Sequence, residues 1–409
     1  MNRNDRAIVA LVTLGHAMVH TYELSIPIFV SVWLTGGEFT ADAATLGVVT
    51  AVGYGLFGVG ALPGGVLADT VGSKRLIVAC LLGMAGSFAL LSVAPSIPVV
   101  AVALCAWGAA ASVYHPSGLS LISRGVEARG SAFAYHGMAG NLGIALGPLT
   151  TALLLLAMDW RTVALVLTVP AILGAALAVR FDVDERAAVA DGGAADAGGS
   201  KADAVTSWPE FVTGTRRLFA SGFVVIFAIV ICSGLYYRGV LTFLPDILGG
   251  FSTLAPVEFA GRELEPGRYV YAGLLMVGMV GQYVGGRLTN TVPPARALVV
   301  GFALLAVIAL AFLPVAGFGL VPFLALCAVL GVGLFAVQPL YQAAVAEHTP
   351  AGTRGLSYGY TYLGVFGVGA LGGVLAGGML TYASVSVLFL ALAGIALTGS
   401  LASVVLARR

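Results

Sequence analysis

Charged side chains are scarce in this chain. Asp, Glu, Lys and Arg make up 10% of its 409 residues, whereas a soluble globular domain carries about 25%. Hydrophobic residues make up 59%, and the mean hydropathy is +0.99. A soluble fold of this length could not cover so much apolar surface with polar groups. The composition predicts a membrane protein, and the net charge of +1 gives no indication of a nucleic-acid partner.

Several chemical signatures are also missing from the sequence. There is no phosphate-binding Gly-rich loop, no nucleophile elbow, and no set of His, Cys and carboxylates with metal-ligand spacing. The few cysteines all lie in apolar runs, which indicates small buried side chains rather than disulfides; they are Cys80, Cys105, Cys232 and Cys327. We therefore expect no enzyme, no metal and no cofactor.

Long apolar runs dominate the chain instead. A membrane-spanning helix needs about 20 mostly apolar residues, and strands of a membrane barrel would alternate in polarity over about 10. The runs are long and continuous, which favours helices. Twelve spans are predicted, near residues 7–34, 43–68, 75–95, 97–123, 130–157, 161–180, 217–248, 267–289, 296–315, 319–346, 354–381 and 384–407.

Positive charges orient these spans. Cytoplasmic loops carry an excess of Lys and Arg, and with a cytoplasmic N-terminus sixteen of the 20 Lys and Arg residues fall in inward segments. Arg161, Arg262 and Arg268 then face outward, and Arg238 lies within span seven. The pattern predicts a multi-pass protein of the cytoplasmic (inner) membrane with both termini inside.

A polar segment separates six spans from six. The stretch DERAAVADGGAADAGGSKADAV is acidic and rich in Ala and Gly, a composition typical of a flexible linker. We predict a first helical bundle over residues 1–180, a flexible cytoplasmic linker over 181–216, and a second bundle over 217–409.

The two halves resemble each other in sequence. GVLADTVGSKR (65–75) aligns with GRLTNTVPPAR (286–296), and LCAWGAAASVYHP (104–116) aligns with LCAVLGVGLFAVQP (326–339). These matches occur in order and at a nearly constant offset. They predict a parallel repeat, in which two pseudo-symmetric six-helix bundles rock about a site near the membrane midplane.

The segment GGVLADTVGSKR, at the inner end of span two, resembles the loop signature of the major facilitator superfamily. Gly65 and Gly72 permit close helix approach and a tight turn, and Asp69 can cap a helix or pair with an arginine. The resemblance implies an all-α transporter that works as a monomer and has a cytoplasmic gate. The gate residues would be Gly65, Asp69, Gly72, Lys74, Arg75 and Arg129.

A narrower resemblance covers the first half. SVYHP (112–116) and GNLGIALGPL (140–149) are similar to segments of the fosmidomycin-resistance branch of drug exporters, in which His16 also has a counterpart. Two positions depart from that branch, since Ser117 and His20 stand where acidic residues are common. The resemblance implies proton-coupled export of a small, drug-like compound.

Ionisable residues inside the membrane cost roughly 2.5–3.5 kcal/mol each on insertion scales and usually mark function. His16, His20 and Glu23 share one face of span one, and Arg238 lies at comparable depth in span seven. We hypothesise that Glu23 and Arg238 face each other across a central cavity, where protonation or anion binding shifts the conformational equilibrium. The alternative is a static ion pair that fastens the two halves.

Further polar residues complete the predicted sites. Histidine titrates near pH 6.5, which suits a proton relay, although a buried neutral histidine can simply donate to a carbonyl. The predicted proton-coupling residues are Glu23, His16, His20, His115 and His136. The family resemblance places spans one, four, seven and ten around the cavity. The predicted substrate-binding residues are Arg238, Tyr237, Asn141, Gln338, Tyr341 and Gln342.

Three functions are compatible with these features. The first is a secondary transporter that exports a small organic solute in exchange for protons. The second is an importer or facilitator of a small organic anion centred on Arg238. The third, from a different class, is a lipid flipper or a non-transporting membrane sensor. The expected partners are a small solute, protons and the lipid bilayer.

Overall fold

The computed structural model describes residues 1–188, 208–259, 261–350 and 352–408, and nearly all of their secondary structure is helical. The first half contains α1 (Arg3–Thr35), α2 (Ala43–Val59), α3 (Ala61–Val71), α4 (Ser73–Ser92), α5 (Ile97–Ser112), α6 (Tyr114–Gly125), α7 (Arg129–Leu155), α8 (Trp160–Val166) and α9 (Thr168–Arg180).

The second half is also mainly helical. It contains α10 (Trp208–Phe219), α11 (Phe223–Leu241), α12 (Leu244–Gly249), α13 (Pro266–Leu288), α14 (Pro294–Ala316), α15 (Leu320–His348), α16 (Arg354–Tyr362), α17 (Leu371–Tyr382) and α18 (Val385–Ala407). A π-helical segment, Leu363–Val368, joins α16 to α17. A short antiparallel hairpin of β1 (Val257–Phe259) and β2 (Arg262–Leu264) lies between predicted spans seven and eight, in the segment where Arg262 was expected to face outward.

The all-helical membrane fold predicted from the sequence is confirmed. Ten helices of the described ranges are long and apolar enough to span a membrane, and α2 with α3, bent by 47°, makes up to eleven. Helix α13 is 23 residues long, but Arg268, Gln282 and Arg287 reduce its hydrophobicity. The twelfth span and the cytoplasmic position of both termini stay predictions.

The linker prediction differs from the structure at its C-terminal end. Residues 208–216, assigned to the linker, lie in helix α10, WPEFVTGTRRLF. Apolar residues recur there at helical spacing beside two arginines, so the segment forms an amphipathic helix. Residues 189–207 of the predicted linker lie outside the described residues.

The described chain forms two compact units. The first contains Met1–Val32 and continues from Val52 through the first-half helices, while the second contains Trp33–Ala51 and the helices from α10 onward. The sequence assigned residues 33–51 to the first bundle. Their place in the second unit follows from glycine contacts, because a Cβ on Gly47 would meet the Gly373 carbonyl oxygen at 2.5 Å.

In the first unit, α7 packs directly against the backbone of α1. A Cβ on Gly143 would lie 2.2 Å from the Ala17 carbonyl oxygen, and one on Gly147 would lie 2.5 Å from that of Thr21. Only glycine permits so close an approach at these positions. The small-residue spacing in GNLGIALGPL therefore brings α7 against the polar face of α1.

Candidate functional site

Helices α1, α6 and α7 bring five ionisable side chains together in the first unit. The histidine cluster comprises His16, His20, Glu23, His115 and His136, and none of them is more than 9% exposed. The sequence predicted a shared face only for the three residues of α1. Glycine packing of α7 on α1 and the break between α5 and α6 at Val113 add the other two.

A chain of hydrogen bonds connects three members of the cluster. The His20 Nδ1 atom lies 2.5 Å from the Glu23 Oε2 atom, and the His20 Nε2 atom lies 3.0 Å from the His16 Nε2 atom. At the far end, the His16 Nδ1 atom lies 2.7 Å from the His136 carbonyl oxygen. The chain therefore runs from a carboxylate, through two imidazole rings, to a backbone carbonyl.

The chain constrains where protons can reside. A carbonyl oxygen only accepts hydrogen bonds, so the His16 Nδ1 atom carries a hydrogen and, in the neutral ring, the His16 Nε2 atom is an acceptor. The two remaining contacts need one proton each. If Glu23 is ionised and His20 is neutral, the pair supplies only one. Closing both contacts takes one additional proton, which makes the Glu23–His20 pair neutral overall.

Aromatic rings and a glycine confine the His16 ring. His136 stacks on it with ring centroids 3.8 Å apart, and Tyr114 stacks at 5.5 Å. A Cβ on Gly140 would lie 2.4 Å from the His16 Cε1 atom, so glycine is required here for the ring to fit. The rotamer of His16 is thus set by its neighbours, a condition for a precise polar site.

His115 and His136 occupy different places in the cluster. The His115 ring lies 5.1 Å from the His16 ring and 5.6 Å from the His20 ring, measured between centroids. The His136 backbone carbonyl, rather than its ring, accepts the hydrogen bond from His16. Among the described residues, the His136 Nε2 atom is a buried nitrogen without a hydrogen-bond partner.

The cluster also has the donor atoms for a metal ion, although no metal site was expected from the sequence. The ligand atoms of His16, His20 and His115 all lie within 4.8 Å of one another. The i, i+4 pair on α1 was one available signal, because two histidines at that spacing face the same way. The third donor comes from another helix, so linear spacing could not reveal it.

The second unit holds most of the predicted substrate-binding residues. Arg238 on α11 is 1% exposed, and its guanidinium carbon lies 5.3 Å from the Tyr237 ring centroid and 5.7 Å from that of Phe366. Phe366 belongs to the π-helical segment, a local irregularity that often occurs at functional sites. Glu23 and Arg238 belong to different units, and their pairing stays a prediction.

The predicted residues of span ten lie together on α15. The Gln282 amide on α13 donates to the Gln338 Oε1 atom at 2.6 Å, and Tyr341 lies beside Gln338 and Gln342. Sequence reasoning missed Gln282, although its position inside a glycine-rich span was a signal. Asn141, by contrast, belongs to α7 in the first unit, where it is partly exposed.

Five of the six predicted gate residues lie on α3, on α4 or in the turn between them. Gly72 has φ of 96°, a conformation that favours glycine and makes the tight turn. Asp69 accepts a hydrogen bond from Arg124 on α6 at 2.6 Å. Of the two roles considered for Asp69, the structure shows pairing with an arginine rather than helix capping. Gly65 and Arg75 are exposed, and Arg129 begins α7.

Glu185, which sequence reasoning missed, caps helix α4. Its carboxylate accepts hydrogen bonds from the backbone N–H groups of Ser73 and Lys74, both at 2.9 Å. The Lys74 ammonium donates to the Phe181 carbonyl at 2.5 Å and to the Val179 carbonyl at 3.0 Å. The Glu185 and Lys74 side chains therefore connect the segment after α9 to the gate motif.

Comparison with protein families settles the ancestry of the chain. The family model described as Major Facilitator Superfamily matches residues 12–373, most of the chain. The chain belongs to the major facilitator superfamily. Among curated proteins, two MFS-type transporters from strains of Mycobacterium tuberculosis, both named as uncharacterised, are 36% identical over 154 residues. The match covers 37% of this chain and about a third, 34%, of each relative.

Solved structures of superfamily transporters share the fold. A bacterial homolog of the human lysosomal transporter Spinster aligns with a TM-score of 0.72 at 14% identity, covering 100% of this chain and 96% of that one. A variant of the nucleoside transporter NupG aligns with a TM-score of 0.75 at 13% identity, covering 98% and 99%. This superfamily member thus has the multi-pass membrane fold of a transporter family rather than of an enzyme family. The resemblance to the fosmidomycin-resistance branch stays a prediction.

Proposed function

We propose that the protein is a proton-coupled secondary transporter that exports a small organic solute. The observation that carries this proposal is the buried chain from Glu23 through His20 to His16. A carboxylate in an apolar interior is costly, and a chain that closes on one extra proton makes the Glu23–His20 pair neutral. The export direction rests on the resemblance of SVYHP and GNLGIALGPL to drug exporters.

Coupling needs only that the two conformations bind the proton with different affinity. In the described geometry the chain closes on one additional proton, which makes the Glu23–His20 pair neutral. Loss of that proton leaves a net negative charge at Glu23 and removes one of the two contacts, either His20 to Glu23 or His20 to His16. Coupling then requires that the other conformation holds this chain differently, and solute binding would bias the same equilibrium.

The test compares Glu23→Gln with Glu38→Gln. The first variant keeps the shape of the side chain and removes its charge, while the second makes the same chemical change at an exposed loop position. Transport would be measured in inverted membrane vesicles with an imposed pH gradient, using a panel of drugs that includes fosmidomycin. A fluorescent dye would report the proton flux.

We expect Glu38→Gln to behave as the wild type. For Glu23→Gln we expect loss of drug-dependent proton movement, with downhill solute exchange retained. If Glu23→Gln drove uphill transport as the wild type does, the coupling role of Glu23 would be refuted. If no pH gradient affected wild-type transport of any solute found to bind, proton coupling itself would be refuted.

A second candidate function is transport of a small organic anion centred on Arg238. The observation that favours it is a buried guanidinium beside two aromatic rings, one of them on the π-helical segment. Such a group can bind a carboxylate or phosphate through paired hydrogen bonds, and aromatic faces would contact the rest of the solute. Tyr341 and Gln338 on α15 would add polar contacts.

Thermal unfolding with and without small anions tests this second function. An anion that binds the folded protein raises the midpoint in a concentration-dependent way. We expect Arg238→Ala to abolish the shift and Arg287→Ala, at an exposed position on α13, to retain it. Equal anion protection of all three proteins would contradict a site at Arg238.

A further inference from the structure

The histidine cluster contains two features that are typical of metal sites rather than of isolated histidines. Metal-binding imidazoles almost always donate their second ring N–H to a carboxylate or a backbone carbonyl, which fixes the tautomer. His20 has Glu23 in that position at 2.5 Å, and His16 has the His136 carbonyl at 2.7 Å. In both rings the Nδ1 atom is therefore already hydrogen-bonded, and the two Nε2 atoms point toward each other.

The two Nε2 atoms face each other at 3.0 Å. In the neutral tautomers that their partners select, both atoms carry lone pairs, and two lone pairs at this distance repel. A cation between or beside them removes the repulsion. That cation is either a proton, as in the proposed coupling chain, or a metal ion.

A third nitrogen donor lies within reach. The ligand atoms of His115 and of the two α1 histidines fall within 4.8 Å of one another. Zinc–nitrogen bonds of about 2.0–2.1 Å place two ligands of a tetrahedral site about 3.4 Å apart. The His16–His20 separation is slightly shorter than this, and the widest pair, which is no more than 4.8 Å apart, needs to close by about 1.4 Å at most.

The geometry points to a binding site for one divalent transition-metal ion of the zinc class at His16, His20 and His115. Three neutral imidazoles suit zinc, cobalt or nickel, whereas magnesium and calcium prefer oxygen ligands. A three-histidine site leaves a fourth position open for water or a solute atom. The three histidine residues are buried but retain 7–9% exposure as whole residues.

A consequence follows for the proposed proton coupling. The metal ion takes the same lone pairs that the additional proton takes, so the two cations exclude each other. Zinc would then displace the proton and inhibit proton-coupled transport. This inhibitory role rests on the proposed function, whereas the binding site itself rests on the positions of the nitrogens alone.

The experiment is a calorimetric titration of the purified full-length protein with zinc chloride after removal of metals by a chelator. We expect one zinc ion per chain, and no response to magnesium chloride. Cobalt chloride should bind at the same site and produce the visible absorption bands of a four-coordinate ion.

Four variants locate the site. Mutation of a group that holds the other ring nitrogen of a metal-binding histidine costs about 10–100-fold in metal affinity, which is the loss expected for Glu23→Gln. His16→Ala should lose more, and so should His115→Gln, which keeps a polar side chain of similar size and preserves packing. His348→Ala is the matched control, because this fifth histidine lies at the end of α15 beside the Ala344 carbonyl.

The site is refuted if the wild type binds no zinc, or if His115→Gln and His16→Ala bind it as the wild type does. Titration in two buffers of different ionisation enthalpy counts released protons, with about one per zinc expected. Zinc binding without proton release supports the metal site and contradicts the proton-bearing chain. Absence of zinc binding in a protein that Glu23→Gln uncouples contradicts the metal site and leaves the proposed function intact.

Discussion

Gly140 offers a way to displace the His16 ring without removing any ionisable group. A Cβ at this position would lie 2.4 Å from the His16 Cε1 atom, 2.7 Å from the Nδ1 atom and 2.9 Å from the Nε2 atom. Ordinary contact begins at 3.4 Å. Gly140→Ala therefore requires the ring or the helix to move by about an ångström.

A movement of that size is large compared with the contacts of the ring. The His16–His136 hydrogen bond is 2.7 Å long and the His16–His20 contact is 3.0 Å long. If the ring moved away from both partners by this amount, both distances would exceed the range of a hydrogen bond. Overpacking of a tight interior costs about 1–3 kcal/mol. We expect the unfolding free energy of Gly140→Ala to fall by this amount.

Gly137→Ala is the matched control, three residues earlier on α7. A Cβ there meets nothing within 4 Å. Alanine gains about 0.5–1 kcal/mol over glycine in a helix, and this gain is common to both variants, so their difference isolates the clash with His16. Unfolding would be followed by circular dichroism in mixed detergent and denaturing micelles. Zinc affinity and proton-coupled transport would be measured on the same preparations.

Gly140→Ala should be less stable than Gly137→Ala, bind zinc more weakly, and lose coupling while keeping every histidine and Glu23. Equal stability, equal zinc affinity and equal proton coupling of the two variants would refute a role for the tight contact between Gly140 and the His16 ring. Lower stability with unchanged zinc affinity and coupling would show that the position of the His16 ring does not determine function.

Three further predictions concern packing and helix ends. Glu185→Ala should destabilise the protein by about 0.5–2 kcal/mol, because it removes the cap of α4. Asp182→Ala, at an exposed position nearby, is the control. Equal unfolding midpoints of the two variants would contradict the cap. Gly108→Ala should prevent normal folding, since its Cβ would lie 2.0 Å from the Gly53 carbonyl oxygen. Gly55→Ala is the control and should be tolerated, because a Cβ there meets nothing within 4 Å. Comparable yields of folded protein from the two variants would refute the predicted clash at Gly108. Hydrogen bonds from Thr162 hold the pKa of Asp159, before α8, below its ordinary value, so its contribution to stability is present above that ordinary pKa and lost as the pH falls through the folded-state pKa. Asp159→Ala should therefore lower the unfolding temperature at pH 7 and have progressively less effect as the pH falls through the folded-state pKa, and an effect that did not change with pH would contradict a role for the ionised carboxylate.

The sequence was sufficient to predict the class of fold, because lipid as solvent demands long apolar helices and leaves a clear pattern. The bend between α2 and α3 and the break between α5 and α6 did not follow from hydrophobicity, since an apolar run continues across both. Helix α10 was assigned to a linker because it follows an acidic, Ala-rich stretch, although its own apolar spacing is helical.

The candidate site could be predicted only along one helix. Helical spacing placed His16, His20 and Glu23 on one face, and the structure shows two of the contacts between them. The position of His115 and the stacking of His136 depend on how α6 and α7 pack against α1, which linear spacing does not encode. Arg124 and Glu185 were missed as partners of the gate motif for the same reason, because each is distant in sequence from the residue it contacts.

The pairing of His20 with Glu23 within α1 also bears on how the protein is made. The His136 carbonyl that accepts from His16 lies 120 residues farther along the chain, and at about 5–20 residues per second the ribosome needs roughly 6–24 s to reach it. During that interval α1 enters the translocon before its later neighbours exist. A histidine three residues from the carboxylate lets the helix carry a neutral pair into lipid from the outset, so insertion of the first span need not wait for the rest of the bundle.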